Sequence, residues 1–194
     1  MTSEPTRCWE TTDPGYIAYH DEEWGRPVTD ERGVYERLCL EGFQSGLSWL
    51  TILRKRDAFR AAFEGFDPER VAAFGERDVQ RLLEDASIVR HRGKIEAAIA
   101  NARATVFLRG ATPLQELLWS HRLDTHWAPR TPADWQGSTP ESATLAKVLR
   151  GAGFRFVGPT TAYAAQQACG VVNDHLATCW VREAVEADRR GHVG

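Results

Sequence analysis

Glu41 stands where an apolar residue belongs. Val34, Leu38 and Glu41 fall at i, i+4 and i+7, so on a helix they share one face. That face is otherwise apolar, and a carboxylate buried there is costly unless a cation or a hydrogen-bond donor meets it. Trp9, Tyr16, Tyr19, Trp24 and Trp49 are the aromatics to set around it. Aromatic faces around one acid make a box for a flat cation. Stacking and cation–π attraction hold the ring, and the acid accepts a hydrogen bond from a ring or exocyclic nitrogen. The plain alternatives are a solvated Glu41 and five core aromatics.

A second set of residues has metal-ligand chemistry. His175 and Cys179 lie one turn apart if helical, which suits two zinc ligands. Cys8 and His20 are the candidates for the other half, and the four would tie the two chain ends together. The alternative is two buried cysteines and two surface histidines, because these separations match no standard finger. Cys39 and Cys169 read as small packing residues. His91, His121, His126 and His192 have no partner at ligand spacing.

The elements that must position these groups are helical. Asp13-Pro14 starts a helix or turn that puts Tyr16 and Tyr19 on one face. Asp30 caps the helix that leads to Glu41. Gly42 and Gly46 are expected to break it, leaving Phe43, Gln44, Ser45 and Leu47 on a loop. A second helix turns Trp49, Ile52 and Leu53 inward, carries Arg54, Lys55 and Arg56 as an exposed basic end, and closes at Gly65. Asp67-Pro68-Glu69 and Asp78–Glu84 mark two short helices. Ala86–Val89 is a turn, and Arg90-His91-Arg92-Gly93-Lys94 enters a long helix with Ile95, Ile99, Ala102 and Val106 on one face. Two helices joined by a tight basic turn can clamp a phosphate, since amides at a helix start favour an anion. Leu114–Trp135 reads as a short helix and an irregular loop. Helices follow from Pro140 to about Gly151–Gly153 and over Thr160–Ala168, and the charged tail Val181–Gly194 is expected to fray. No segment alternates long enough for a strand, so the fold class is all-α.

Composition narrows the partners. The 194 residues suit one compact domain or two small lobes sharing a core. With a net charge of −3, binding to a polyanion must rest on a local basic patch. There is no run of about 18 apolar residues and no apolar signal core in MTSEPTRCWE, so no membrane partner and a cytoplasmic location are expected. Four cysteines in this length are free or metal-bound rather than a disulfide scaffold. A monomer is the default.

A flat cation attached to DNA is an alkylated base, and at this point the motifs match a known family. DPGYIAYHDEEWG at 13–25, LEGFQSGLSW at 40–49, DASIVRHRGKI at 85–95, GFRFVGPT at 153–160 and QACGVVNDH at 167–175 resemble those of 3-methyladenine DNA glycosylase I, of the helix-hairpin-helix superfamily. The similarity runs from Cys8 to about Cys179. It implies a monofunctional enzyme without lyase activity that acts on double-stranded DNA. The enzyme would release free 3-methyladenine, and some 3-methylguanine, after flipping the base. Glu41, Tyr19 and Trp49 are then the catalytic set: Glu41 reads the adenine edge, and Tyr19 and Trp49 are stacking walls. Tyr16, Trp24 and Trp9 stand behind them. Cys8, His20, His175 and Cys179 become ligands of one structural zinc ion. The turn Ala86–Lys94, with Arg90, Arg92, Gly93 and Lys94, grips DNA phosphates, and Gln44, Ser45, Gly46 and Leu47 probe the gap left by the base. The resemblance further divides the chain into a helix-hairpin-helix lobe over about 37–112, a discontinuous zinc-binding lobe from 1–36 plus 113–180, and a tail from 181–194.

Three positions depart from the family pattern. One residue is missing between Cys8 and Trp9, Ser87 stands where the hairpin usually has Gly, and Phe43 replaces a polar residue, which puts the pocket wall in question. Two other function classes fit parts of the sequence. A zinc-stapled module that recognises damaged DNA without cutting would lack the acid or the box. A zinc hydrolase would need an open metal position, which four protein ligands do not leave.

Overall fold

The structure is a computed structural model that describes residues 5–122 and 128–191, so His126 and His192 lie outside it. All regular elements among the described residues are helical. Helix α1 (Pro14–Ala18) starts as its residues dictate: Asp13 accepts from the Tyr16 amide at 3.0 Å, and Pro14 takes the first turn. It runs on into a π-helical turn, Tyr19–Glu23, closed by the Trp24 amide on the Tyr19 carbonyl. The wide turn buries two consecutive residues, Tyr19 and His20.

Helix α2 (Glu31–Gln44) is capped by Asp30 and is the central element. Val34, Tyr35, Leu38, Cys39 and Phe43 of α2 are buried in one core with Ile52, Phe59, Phe63 and Phe66. Gly42 does not break this helix. It stays helical at the modest cost of an interior glycine, and a Cβ there would only make ordinary contact with Phe156 at 3.8 Å. The chain turns instead at Gly46, whose φ is +81°. Helix α3 (Trp49–Ala62) follows, capped by Ser48. Then come α4 (Pro68–Ala72), α5 (Glu76–Glu84) and α6 (Arg92–Leu108), with α4 and α5 packed on α6. Helices α7 (Leu114–Ser120), α8 (Pro140–Gly151) and α9 (Pro159–Ala168) close the other side of α2.

Two expectations are corrected here. The stretch 171–180 is irregular, so His175 and Cys179 are not on a helix. The tail is not frayed over its described part: α10 (Arg182–Gly191) buries Val185, and its Arg189 guanidinium donates to the carbonyls of Gly170 and Val171. Charge misled the reading because those cations satisfy buried carbonyls rather than face water. A small second core forms under α10 from Cys8, Leu176, Cys179, Val181 and Val185. Trp9, Trp24 and Trp135 pack on it. Among the described residues, no helix is long and apolar enough to cross a membrane.

Gly170 sets how the N-terminal segment lies against α9. Its φ is +75°, and an added Cβ would sit 2.5 Å from the Arg26 carbonyl carbon and 2.7 Å from the Gly25 oxygen. Backbone cannot move aside cheaply. Gly170→Ala should therefore cost roughly 2–4 kcal/mol, read as a lower urea midpoint at unchanged slope.

Candidate active site

The aromatic residues and the acid meet. A cavity of about 350 Å³ is lined by Trp9, Tyr16, Tyr19, Trp24, Glu41, Gln44 and Trp49. Tyr16 comes from α1, Tyr19 from the π-helical turn, Glu41 and Gln44 from the end of α2, and Trp49 from the start of α3. Trp9 lies 5.0 Å from Tyr16 and 5.1 Å from Trp24, and Tyr19 lies 5.2 Å from Trp49. Two ion pairs fasten the N-terminal segment to α3. Arg54 meets Asp13 at 2.6 Å, and Arg56 meets both Glu23 oxygens at 2.6 and 2.8 Å. The basic end expected to be free is thus spent on framing the cavity. Lys55, between them, donates to the Ala86 and Ser87 carbonyls.

Glu41 is only 7% exposed, and its carboxylate accepts no hydrogen bond among the described residues. Burial pushes its carboxyl up to about 8, against the pull of nearby Arg37. Burial and then the Glu41 charge raise the Tyr19 phenol. The indole N–H groups of Trp9 and Trp49 are buried without acceptors. A folded protein rarely leaves such groups unpaired unless a ligand or water completes them. The cavity therefore offers π-faces and an acid that gains by meeting a cation.

The sequence reading missed part of the wall. Trp135, Gln136, Ala164 and Gln167 complete the lining. Trp135 is held by its indole N–H on the Asp174 carbonyl at 2.9 Å, and the Asp174 carboxylate accepts from Tyr163 and Gln167. The only signal was three tryptophans in an aperiodic stretch, too little to place any one of them.

Known proteins share this arrangement's sequence. Residues 9–183 match the family described as methyladenine glycosylase. DNA-3-methyladenine glycosylase 1 of Escherichia coli (strain K12) is 49% identical over 178 residues, covering 89% of this chain and 95% of that protein. The chain belongs to the methyladenine glycosylase family. A crystal structure of 3-methyladenine DNA glycosylase I superposes with a TM-score of 0.87 at 48% identity, over 90% of this chain and 98% of the other. A variant of 3-methyladenine DNA glycosylase I in complex with 3-methyladenine gives 0.84 at 34% identity, over 89% and 94%.

In this member of the methyladenine glycosylase family, the Cys/His set is assembled at the back of the aromatic wall. Cys8, His20, His175 and Cys179 are all buried, with their ligand atoms within 4.8 Å of one another. Each imidazole is oriented by a second partner: His20 Nδ1 lies 2.7 Å from Asp21 and His175 Nδ1 lies 3.1 Å from Asn173 Oδ1. Both rings thus present Nε2, as in metal sites where the other nitrogen is held by a carboxylate or carbonyl. The hydrogen bond between the sulfurs raises Cys8, as does burial, and lowers Cys179 to about 5 against the opposing effect of burial. Burial lowers His175 to about 3, so it is a neutral donor. Two sulfurs and two Nε2 atoms in a dry space fit a tetrahedral, closed metal site.

The residues expected at DNA divide into two groups. Leu47 is 43% exposed, Ser45 and Gly46 are exposed, and Gln44 is half-buried at the cavity edge. Arg90 is exposed and makes no ion pair among the described residues, and Gly93 lies in the first turn of α6. Arg92 is engaged, lying 3.1 Å from Glu76 and 3.3 Å from Glu96. Lys94 is buried and its ammonium is turned inward. Two of the three departures also resolve. Ser87 is not in the left-handed region; Asp85 accepts from its amide and hydroxyl, so the turn needs no glycine there. Phe43 packs 4.6 Å from Phe59 in the core and does not line the cavity.

Proposed function

We propose that the chain excises 3-methyladenine, and also 3-methylguanine, from double-stranded DNA by hydrolysing the N-glycosidic bond. The observation that carries this reading is Glu41: a buried, unpartnered acid facing a cavity of aromatic faces. Flipping a base costs a few kcal/mol, less for a damaged one. Once inside, a cationic base stacks on Tyr19 and Trp49, and its charge favours ionised Glu41, which accepts from the base's amino group. Neutral adenine gains neither the cation–π attraction nor the ion pair.

The alkylated base is already a good leaving group and needs no protonation. The helix after the basic turn carries only Glu96 as an acid over 95–109. Glu96 faces Arg92 on the outer surface, so no strong protein base for water is proposed. The cavity lining contains no lysine, which fits a hydrolase without a Schiff-base lyase step. Gln44, Gly46 and Leu47 would enter the duplex gap while Arg90 and the amides around Gly93 hold phosphate. The lobe over about 37–112 then acts as a helix-hairpin-helix unit. Cys8, His20, His175 and Cys179 would hold one zinc ion, which supplies a structural cross-link between the chain ends.

The test is chromatography of bases released from methylated duplex DNA. Free 3-methyladenine is the expected product. No release, with binding to methylated DNA intact, would replace the enzyme by a recognition module.

A further inference from the structure

Lys94 sits in the first turn of α6, where a cation opposes the helix dipole. Its position is explained by where its side chain goes. The ammonium donates to the Phe43 carbonyl at 2.9 Å and to the Ser45 carbonyl at 2.5 Å. These oxygens lie at the C-terminal end of α2, where carbonyls lack helical partners and the dipole is negative. The loop that follows has little else to hold it. Residues 45–48 are exposed, an added Cβ at Gly46 meets no atom within 4 Å, and the one internal backbone tie is the Leu47 amide on the Gln44 carbonyl. From the other side, Lys55 of α3 reaches the Ala86 and Ser87 carbonyls of the basic turn at 3.3 and 2.8 Å. Two lysines thus cross-tie the loop's two flanking helices to the turn.

We propose that Lys94 is a positioning residue that fixes the loop carrying Gln44 and Leu47 relative to the phosphate-holding turn. The inference rests on the glycosylase reading and deepens it. Leu47 can fill the gap of a flipped base only if it stands at a set distance from the gripped phosphates. Lys94 sets that distance through the backbone of α2 and does not touch DNA: it is 8% exposed, and its ammonium is occupied by two carbonyls.

The experiment compares wild type, Lys94→Met, Leu47→Ala and the double variant in single-turnover excision from methylated duplex. Binding of free 3-methyladenine is followed by tryptophan fluorescence, and amide exchange is followed across residues 40–50. Lys94→Met should slow excision about 100-fold, the scale of a misplacement near 1 Å. It should leave free-base affinity unchanged and speed exchange at 45–48 but not in the body of α2. Leu47→Ala should slow wild type and add little to Lys94→Met, because both act through one contact. Lys94→Gln keeps a donor for one carbonyl and should give the same pattern more weakly, which serves where Lys94→Met does not fold. Wild-type excision, lost free-base binding or additive effects would each overturn the proposal. If wild type itself releases no base, the glycosylase reading fails. The exchange measurement still decides the strut, since unchanged protection at 45–48 would sink it.

Discussion

Glu41→Gln should yield a protein that is more stable than wild type above about pH 6.5 and about 10²–10³-fold slower at releasing 3-methyladenine. The two effects share one cause. A carboxyl held near 8 when folded, against 4.5 as its ordinary value, binds more protons in the folded state between those pH values. Stability contributed by this group is therefore full below about pH 4.5 and is lost as pH rises toward 8. At pH 7 the ionisable acid weakens folding by on the order of 3 kcal/mol. Glutamine removes that term and returns part of it, because its own amide donors lack partners. A net gain of roughly 2 kcal/mol, or several degrees in Tm, is expected at pH 8, and none at pH 4.5. The same ionisation governs activity. Wild-type kcat/KM should rise tenfold per pH unit up to about 8 and then level, since it reports the free enzyme's acid. The variant's profile should be flat. A wild-type profile flat from pH 5 to 9, or a variant as fast as wild type, would remove Glu41 from the proposed mechanism.

The second large effect concerns the buried sulfurs. Wild type should contain one zinc ion per chain by elemental analysis, and Cys8→Ser should contain none. A metal present at a thousand times its Kd contributes ~4 kcal/mol to folding, so the variant and the chelator-treated wild type should both lose at least about that much. Adding zinc should restore the melting temperature of the stripped wild type and leave Cys8→Ser unchanged. Because Leu176 donates its amide to Cys8 Sγ and α10 packs beside the cluster, the loss should appear first as exchange in 171–191. Metal-free wild type that melts like untreated protein would reduce the cluster to four packed side chains.

Much of the fold could be read from local chemistry. Asp13, Asp30 and Asp67 start the helices that their side chains cap. Glu41 stood out because it broke an apolar face, and the tryptophans and tyrosines between 9 and 49 could be gathered around it as candidates. What failed was whatever depends on distant partners. Arg54, Lys55 and Arg56 read as a free basic end, yet each is bound to residues at least 30 positions away, as the separations of 41, 31 and 33 show. Lys94 read as a phosphate ligand because composition does not reveal which way a side chain turns. The Trp135 wall depends on a hydrogen bond to Asp174 across 39 residues. The π-helical turn has no sequence signature, and the helix assumed for His175 and Cys179 was never needed. An irregular loop brings ligands together as well as a turn of helix does.

That π-helical turn gives consecutive residues to two different tasks: Tyr19 faces the cavity and His20 faces the cysteines. The peptide between them is a rigid coupling, so this wall cannot drift under selection without disturbing the knot behind it. Relatives that acquire a new base preference are thus expected to do so at Gln44 and Gln136, cavity-lining residues that belong to neither the π-helical turn nor the core around the cysteines.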